Sequence, residues 1–224
     1  MGREFIPAFD RWADSYDQTV AGADAEYREV FRNYEQMLDC AAGKAAGRVL
    51  EFGVGTGNLT VHLQKRGLRV VGIELSKKMR EKAKRKVPAF DVLDGDFLNF
   101  PNNLGPVDTI ISSFAFHHLT AKEKCQAVDL QSALLARHGK IVIVDTMFDS
   151  IEKKQAIQNW AETKKFTHLL GDLQTEYYPL CDEVRAALEM VHFVSDFQQL
   201  NRFAWLVTAE RRPYVQSEVR DQEG

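Results

Sequence analysis

Three glycines at alternate positions restrict the folds that this chain can adopt more than any other feature of its sequence. Gly53, Gly55 and Gly57 follow the apolar residues 49–52 and precede Asn58, where a helical pattern begins. Glycine reaches positive φ at little cost and has no Cβ, so the backbone here can turn sharply and come close to a ligand. The N–H groups at the start of the next helix point into the same space. The stretch therefore predicts a strand, a ligand-binding turn and a helix.

The spacing of these glycines distinguishes two classes of ligand. The dinucleotide fingerprint Gly-x-Gly-x-x-Gly requires its third glycine where this chain has Asn58. The observed pattern, Gly-x-Gly-x-Gly two residues after the acidic Glu51, resembles the first motif of class I S-adenosylmethionine-dependent methyltransferases. Residues 5–210 as a whole are similar to the small YrrT-like group of these enzymes. The resemblance implies S-adenosylmethionine as the cofactor and S-adenosylhomocysteine as the product.

The resemblance also implies how the first motif holds the methionine part of the cofactor. In the family, the acid at the position of Glu51 and the carbonyl group of Gly53 bind the amino group, and Gly55 and Gly57 complete the turn. Methyl transfer then proceeds by in-line displacement, in which a lone pair of the acceptor attacks the methyl carbon. The protein contributes mainly by holding the two partners at near-attack distance in a dry pocket.

An acidic residue ends the second predicted strand, residues 69–74. Glu74 lies about 20 residues beyond the glycines, the spacing at which nucleoside-binding α/β folds place a carboxylate against the ribose hydroxyls. The adjacent Leu75 is expected to offer an apolar surface to the adenine ring. The alternative is that Glu74 is an ordinary solvated acid, but its position at the carboxyl end of an apolar strand argues against that.

The turn at residues 94–97 and the end of the fourth strand complete the predicted cofactor site. The Gly-Asp-Phe sequence of the turn resembles the adenine-recognition motif of the family. In that motif the carboxylate of Asp96 accepts from the exocyclic amine, and the N–H of Phe97 donates to a ring nitrogen. Asp-Gly-Asp is also ordinary turn chemistry, so the motif gains its meaning from the glycines upstream. Ser113 ends the predicted strand 107–113 and is assigned as a further cofactor contact.

Three aromatic residues precede the glycine motif at helical spacing, namely Phe9, Trp12 and Tyr16. In similar methyltransferases an N-terminal segment ending in Tyr-Asp folds over the cofactor, which makes Tyr16 a contact to the methionine part. The alternative is that the three rings form one helix face packed on the core, because burial alone explains the pattern. The same face can serve both purposes.

Two adjacent histidines, His117 and His118, follow the fourth strand, where methyltransferases place residues that face the acceptor. An imidazole with an ordinary pKa of about 6.5 suits a general base near neutral pH, and His117 is the candidate because it lies nearer to the strand. A structural role at the start of the next helix is an equally valid interpretation, since methyl transfer does not always need a base. Asp145, near the end of the predicted strand 140–146, is expected to line the acceptor pocket.

Alternating strands and helices predict an α/β fold with a doubly wound parallel sheet and right-handed crossovers. The resemblance implies seven strands with the last one antiparallel. The other predicted elements are helices at 24–42, 77–86, 120–137 and 182–191 and strands at 88–93, 193–200 and 203–210. Ser76 is predicted to cap the helix at 77–86, and Thr120 to form a capping box with Glu123. We expect one methyltransferase domain at 1–210, in which 1–42 form an N-terminal lid and helix and 148–181 an insertion near the acceptor site. Residues 211–224 are expected to be a polar tail.

Composition and charge argue against several other classes of protein. A net charge of −3 and a pI near 6.1 give no basic field for nucleic acid, and the basic helix at 77–86 lacks aromatic residues for base stacking, so it is interpreted as a solvated face. Cys40, Cys125 and Cys181 form no Cys-x-x-Cys pair, so neither disulfides nor a metal site is predicted, and a reducing cytoplasm fits. We expect no signal peptide and no membrane span.

Three functions stay open at this point. The first is a methyltransferase acting on an oxygen, nitrogen or sulfur atom of a small molecule, because the sequence has neither the Asn-Pro-Pro-Tyr nor the Pro-Cys motif of base-methylating enzymes. The second is a regulatory protein that binds the cofactor or its product without catalysis, because a cradle predicts binding and not turnover. The third, a nicotinamide-dependent enzyme, is disfavoured by Asn58 and by the Gly-Asp-Phe turn.

Overall fold

The computed structural model of the chain describes residues 6–211, in which one sheet of seven strands packs between helices. The strands are β1 (Arg48–Phe52), β2 (Arg69–Glu74), β3 (Asp91–Asp94), β4 (Val107–Ser113), β5 (Leu135–Thr146), β6 (Phe193–Gln199) and β7 (Ala204–Arg211). The helices are α1 (Ile6–Trp12), α2 (Tyr16–Val20), α3 (Tyr34–Lys44), α4 (Asn58–Lys65), α5 (Lys77–Lys86), α6 (Ala121–Leu134), α7 (Ile151–Lys164), α8 (Thr167–Thr175) and α9 (Cys181–Met190). A 3-10 turn, Phe116–His118, follows β4.

The strands lie in the order β3-β2-β1-β4-β5-β7-β6. The pairs among the first five strands are parallel, and β7 runs antiparallel to both β5 and β6. This topology confirms the doubly wound seven-stranded sheet with an antiparallel last strand. The chain moves outward from β1 through β2 to β3 and then returns to β4 on the other side of β1. In open α/β sheets such a reversal of strand order opens a crevice at the carboxyl ends of the two strands.

Both faces of the sheet are covered, which explains why β1, β4 and β5 read as nearly continuous apolar runs. Neighbouring residues on a strand point to opposite faces. In β1, Val49 packs in the core that includes α3, whereas Leu50 packs in the core beneath α6 and α9. The sheet therefore separates two hydrophobic cores, and its central strands are buried along most of their length.

The predicted helix at 24–42 is wrong in its first half. Helix α3 begins only at Tyr34, because Asn33 adopts a left-handed conformation with φ of +67° and residues 25–33 form a series of turns. The amide of Asn201 donates to the carbonyl of Val30 at 2.9 Å, and its oxygen accepts from the N–H of Phe203 at 2.7 Å. The apolar spacing that suggested a helix reflects burial of these turns against the β6–β7 hairpin.

Two other boundaries also differ from the predicted ones. Helix α6 ends at Leu134 rather than at 137, because Leu135 already pairs with Val107 of β4. Strand β3 begins at Asp91 rather than at 88, because a turn bonded from the Phe90 N–H to the Val87 carbonyl precedes it. The capping box at Thr120 and the N-cap at Ser76 are present as predicted.

The predicted insertion at 148–181 folds as α7 and α8. Backbone bonds between Phe148 and residues 179–181 close its base, with the Cys181 N–H donating to the Phe148 carbonyl at 2.8 Å. None of the helices within residues 6–211 combines the length and the apolar surface needed to cross a bilayer. Apart from Arg211, which ends β7, the predicted polar tail lies outside the described residues. Residues 1–5, where the chain begins, also lie outside them, so the expectation that there is no signal peptide stays a prediction.

Candidate active site

A cavity opens at the carboxyl ends of β1, β2 and β4 and extends beneath α1 and α2. Eight of the ten predicted cofactor contacts line it. They are Tyr16, Gly53, Gly55, Glu74, Leu75, Asp96, Phe97 and Ser113. Glu51 lies beneath the glycine turn and Gly57 at the start of α4, and neither is part of the lining. The predicted catalytic residue, His117, lines the same cavity.

The glycine turn has the shape that a ligand cradle requires. Gly53 and Gly55 have φ of +66° and +57°, a region that residues with a side chain rarely adopt. A Cβ on Gly53 would lie 2.4 Å from the Cβ of Ala115, whereas a Cβ on Gly55 would meet nothing within 4 Å. The turn is therefore packed tightly against the protein at Gly53 and leaves free space beside the backbone at Gly55.

The carboxylate of Glu74 ties the glycine turn to the end of β2. Its Oε2 accepts from the Gly55 N–H at 2.9 Å, and its Oε1 accepts from the Ser76 N–H at 2.8 Å. Burial raises the pKa of Glu74, although these backbone bonds oppose the shift. A carboxylate has about four lone-pair sites, so both oxygens keep capacity for hydroxyl donors from a ligand. Arg80 supports the same corner by donating to the carbonyls of Glu74 and Leu75.

Glu51 is buried beneath the turn rather than exposed to the cavity. Its side chain accepts from the Thr60 hydroxyl at 2.7 Å, and the residue is 1% exposed. Burial raises the pKa of Glu51 to about 8, and the negative charge of nearby Glu74 adds to the shift. An acid with this pKa holds its proton near neutral pH and gives it up readily when a cation approaches.

Asp96 combines the two roles that its sequence suggested. Its Oδ1 accepts from the N–H groups of Leu98 and Asn99 at 2.8 and 2.9 Å, which is ordinary turn chemistry. The residue also lines the cavity and is 4% exposed. The ring of Phe97 points away into the core, where it stacks on Phe52 at 5.2 Å. Only the backbone of Phe97 is therefore placed for a polar contact.

The N-terminal helices α1 and α2 lie along one side of the cavity and contribute Phe9, Trp12 and Tyr16 to its lining. These rings also pack on other aromatic side chains, with Trp12 lying 5.6 Å from Tyr27 between centroids. The rings therefore line the cavity and pack on the core at the same time, and contact of Tyr16 with the cofactor stays a prediction.

Three aspartates attach this segment to α5, the basic helix that the sequence predicts to be a solvated face. The contacts are Asp10 with the cap Ser76 at 2.6 Å, Asp14 with Lys82 at 3.0 Å and Asp17 with Lys86 at 2.9 Å. Asp17 also accepts from the hydroxyl of Thr56 in the glycine turn at 2.6 Å. We call these three contacts the α5 latch.

A cluster of ionisable groups occupies another part of the lining. His117 lies in the 3-10 turn that Phe114, with φ of +49°, directs away from β4. Its Nδ1 is 2.5 Å from Asp145 Oδ1, and its Nε2 is 3.4 Å from Glu176 Oε2. Tyr178 stacks on the imidazole at 4.7 Å and donates its hydroxyl to Glu176 Oε2 at 2.5 Å.

The carboxylates determine the charge of this cluster. Burial opposes protonation of His117, but Asp145 and Glu176 outweigh it and raise the pKa of His117 to about 10. Burial lowers the pKa of His118 to about 3, with the charge of His117 adding to the effect. Glu176 keeps its charge, because its bonds to His117 outweigh burial and bring its pKa to about 2. In this state the two ring N–H groups of the His117 imidazolium point at Asp145 and Glu176, so neither ring nitrogen offers a lone pair.

Sequence reasoning missed Glu176 and Tyr178 as site residues and misplaced Asp145. The prediction that Asp145 lines the acceptor pocket is wrong, since its carboxylate is fully buried behind His117 and also accepts from the His117 backbone N–H at 3.0 Å. Glu176 and Tyr178 lie in a stretch without regular alternation, about which the sequence indicated only proximity to the acceptor. An acidic residue followed by two tyrosines in such an insertion is the one available signal.

Comparison with known proteins identifies the family. Residues 49–139 match a family described as a methyltransferase domain. An uncharacterized methyltransferase of Oceanobacillus iheyensis is 47% identical over 211 residues, which are 94% of this chain and 99% of that protein. The uncharacterized methyltransferase YrrT of Bacillus subtilis is 45% identical over 213 residues, 95% of this chain and 100% of that protein. The chain belongs to this family of class I S-adenosylmethionine-dependent methyltransferases.

Solved structures share the fold at low sequence identity. Magnesium protoporphyrin IX methyltransferase from Synechocystis PCC 6803, with bound S-adenosylhomocysteine, gives a TM-score of 0.71 at 17% identity, over 94% of this chain and 98% of that one. The DhpI complex with S-adenosylhomocysteine gives 0.67 at 16% identity, over 95% and 98%. Membership of the methyltransferase family confirms the predicted enzyme class and its cofactor, and it leaves the nicotinamide alternative without support.

The α5 latch predicts how this methyltransferase holds its N-terminal segment. Exposed ion pairs are individually weak, so loss of two should raise local opening only about 3- to 10-fold. We expect Lys82→Ala combined with Lys86→Ala to speed amide hydrogen exchange in residues 6–20 by that factor. The matched control is Lys77→Ala with Lys84→Ala, two exposed lysines on the same helix. Equal exchange in both double variants would contradict the latch.

The raised pKa of Glu51 predicts a pH-dependent cost to the stability of the free methyltransferase. Glu51 ionises near its ordinary pKa of 4.5 in the unfolded chain and near 8 in the folded protein, so the folded state loses stability as pH rises through this window. The free energy of unfolding of Glu51→Gln, measured relative to the parent by urea denaturation, should rise by about 3 kcal/mol between pH 5 and 8. Glu210→Gln, at an exposed position, should show no such trend. A pH-independent difference for Glu51→Gln would refute the shift.

Proposed function

We propose that this enzyme transfers the methyl group of S-adenosylmethionine to an oxygen, nitrogen or sulfur atom of a small, largely apolar acceptor. The proposal rests on one observation. Gly53 and Gly55 after β1, Glu74 at the end of β2 and Asp96 after β3 line one cavity, whose lining also includes aromatic rings and the His117 cluster. Four separate chain segments thus supply what a cation carrying an adenosyl group needs, namely carboxylates, a glycine cradle and apolar walls.

Each predicted cofactor contact has a place in this arrangement. Glu74 would accept from the two ribose hydroxyls, since both of its oxygens are oriented by backbone N–H groups. Asp96 and the backbone of Phe97 would bind the adenine edge, with Leu75 against its face.

At the methionine end of the cofactor, Tyr16 and Ser113 would lie on either side of the methionine part of the ligand. Glu51 acts from beneath the turn, and its charge would balance the amino group that the Gly53 carbonyl binds. Gly55 keeps the cradle open, and Gly57 starts α4 so that its N–H groups face the carboxylate.

The acceptor would occupy the remaining lining, which is contributed mainly by apolar side chains of the N-terminal segment and of the 148–181 insertion. They are Tyr27, Val30, Phe31, Leu169 and Leu173, joined by Phe203 of the β6–β7 hairpin. His117, Glu176 and Tyr178 form the polar part of this surface. An acceptor with an apolar body and one ionisable atom matches it, with the atom directed at His117 and the body against the leucines.

The residues of the chain would act mainly by positioning and by excluding water. S-adenosylmethionine, when bound, supplies an electrophilic methyl carbon that the acceptor attacks in line. The α5 latch and the insertion enclose the cavity, which removes water that would compete for the acceptor. His117 is the residue that we assign to the acceptor atom. Its predicted action as a general base would require that it first give up the proton it directs at Glu176.

The location and organisation of the enzyme complete the proposal. The three cysteines are free in the structure, in keeping with a reducing cytoplasm. One domain at 1–210 accommodates the N-terminal lid, the sheet and the insertion, and nothing in the charge of the chain favours nucleic acid as a partner.

Binding of the product tests the cofactor assignment directly. Removal of a carboxylate that accepts two hydroxyl donors costs about 1.5–3 kcal/mol for each charged hydrogen bond. We therefore expect Glu74→Ala to weaken binding of S-adenosylhomocysteine at least about 100-fold in calorimetric titration, and Glu74→Gln, which keeps the volume, about 10-fold or more. Glu81→Ala, which removes an exposed acid from α5, should bind as the parent does. Unchanged affinity in both Glu74 variants would overturn the assignment.

Turnover tests the acceptor class. We expect the parent to release S-adenosylhomocysteine with at least one compound in a panel of thiols, phenols, carboxylates and amines that carry an apolar group. Leu173→Ala should raise the KM for that acceptor about 10-fold, because it removes part of a buried leucine surface, and should leave the affinity for S-adenosylhomocysteine within about 2-fold. Silence across the panel together with tight product binding would favour the regulatory alternative.

A further inference from the structure

Two histidines and a glutamate lie close together at the cavity, in an arrangement that no sequence motif predicts. The ligand-type atoms of His117, His118 and Glu176 all lie within 4.8 Å of one another. The histidines are adjacent in the 3-10 turn, and Glu176 follows α8 in the insertion. Cysteine spacing, the usual sequence signal of a zinc site, does not indicate this group, because it contains no cysteine.

The spacing of these atoms is close to that of a metal coordination sphere. A tetrahedral ion with bonds of about 2.1 Å keeps its ligand atoms about 3.4 Å apart. His117 Nε2 lies 3.4 Å from Glu176 Oε2, and His118 Nδ1 lies 3.7 Å from Glu176 Oε1. The ligand atoms of all three residues lie within 4.8 Å of one another, so an ion would have to draw the most distant pair together by up to about 1.4 Å to reach the tetrahedral spacing.

Neighbouring residues orient the three groups as outer partners orient metal ligands. Asp145 Oδ1 lies 2.5 Å from His117 Nδ1, which directs Nε2 toward Glu176. A carboxylate behind a ligating histidine fixes its tautomer and raises its basicity. Tyr178 donates to Glu176 and stacks on His117, so the carboxylate and the imidazole are both held from outside the set.

The surroundings suit a cation that binds a further ligand. His117 and His118 are 7% and 8% exposed, and all three groups line the cavity. Lys124, whose charge acts on His118, directs its ammonium at the carbonyl groups of Leu119 and Tyr177. Asp145 and Glu176 together supply the negative charge that a divalent ion needs.

We propose that His117, His118 and Glu176 bind one divalent metal ion of the zinc class. Two histidines and one glutamate are a known catalytic zinc set, which leaves a fourth position open. The ion takes the place of the proton that His117 Nε2 directs at Glu176, so metal binding releases that proton to solvent. Because all three ligands line the cavity, an acceptor hydroxyl or thiol in it would take the fourth position and release its own proton to solvent as the metal–oxygen or metal–sulfur bond forms. The role in catalysis rests on the proposed methyltransferase function, whereas metal binding itself does not.

Metal titration of the chelator-treated full chain tests the site. Co²⁺ serves as the spectroscopic probe, and Zn²⁺ affinity is measured by competition with a chromophoric chelator. We expect one Co²⁺ per chain with visible absorption of a four- or five-coordinate ion, displaced by Zn²⁺. Glu176→Gln and His118→Ala should each lower the Zn²⁺ affinity at least about 100-fold, since even loss of an outer partner costs 10- to 100-fold. His138→Ala, at an exposed histidine, should bind as the parent does.

Each outcome decides the matter. A parent that takes up no stoichiometric Co²⁺, or a Glu176→Gln protein that binds Zn²⁺ as tightly as the parent, overturns the metal site. Circular dichroism confirms that the variants are folded, and Glu176→Gln replaces a carboxylate by an amide of the same size. Binding of S-adenosylhomocysteine by the same chelator-treated parent reports on the methyltransferase function separately, because Glu74 and Asp96 are not part of the metal set.

Discussion

The hydrogen bonds that Glu74 accepts from Gly55 and Ser76 are the interaction on which the rest of the site depends. One oxygen fixes the glycine turn after β1, and the other fixes the cap from which α5 begins. The Ser76 hydroxyl in turn bonds Asp10, the first contact of the α5 latch. A single buried carboxylate thus connects the cradle, the basic helix and the N-terminal cover. Its position at the reversal of strand order places all three around the same crevice.

The cavity is built from groups that are costly to bury. Glu51 and Glu74 have raised pKa values because burial disfavours their charge, and Asp145 and Glu176 are sequestered beside His117. The two glutamates at the glycine turn gain nothing from burial in the free protein, since an unpaired buried charge destabilises the folded state, whereas Asp145 and Glu176 are paired with His117. The cost becomes useful when a cation is bound, because the same carboxylates then act in a low dielectric. The buried carboxylates at the glycine turn therefore both lower the stability of the free protein and allow the site to bind a cation.

Much of the fold could be predicted because it is encoded locally. The glycine turn, the acid that ends β2 and the caps at Ser76 and Thr120 each depend on neighbouring residues and are found as expected. Errors arose where distant residues decide the structure. Asn201 binds the carbonyl groups of the turns before α3, and no pattern in residues 24–42 reveals this partner. The boundary at Leu134 likewise depends on pairing with β4.

The candidate site divides in the same way. The residues near the cradle follow from motif spacing, whereas the group around His117 is assembled from β5, the 3-10 turn and the insertion. Glu176 lies 59 positions after His117, and only the folded chain shows that their side chains meet. Sequence alone can name the histidine, but its charge and geometry depend on carboxylates contributed from elsewhere.

The cover of the cavity has two parts that are joined to each other. Tyr27 donates its hydroxyl to Asp172 of α8, and Glu26 accepts from the N–H groups of His168 and Leu169 at the start of the same helix. A molecule that passes between these parts must break contacts far from the glycine turn. For any ligand that takes this route, the rate at which these contacts open would set an upper limit on how fast products can leave.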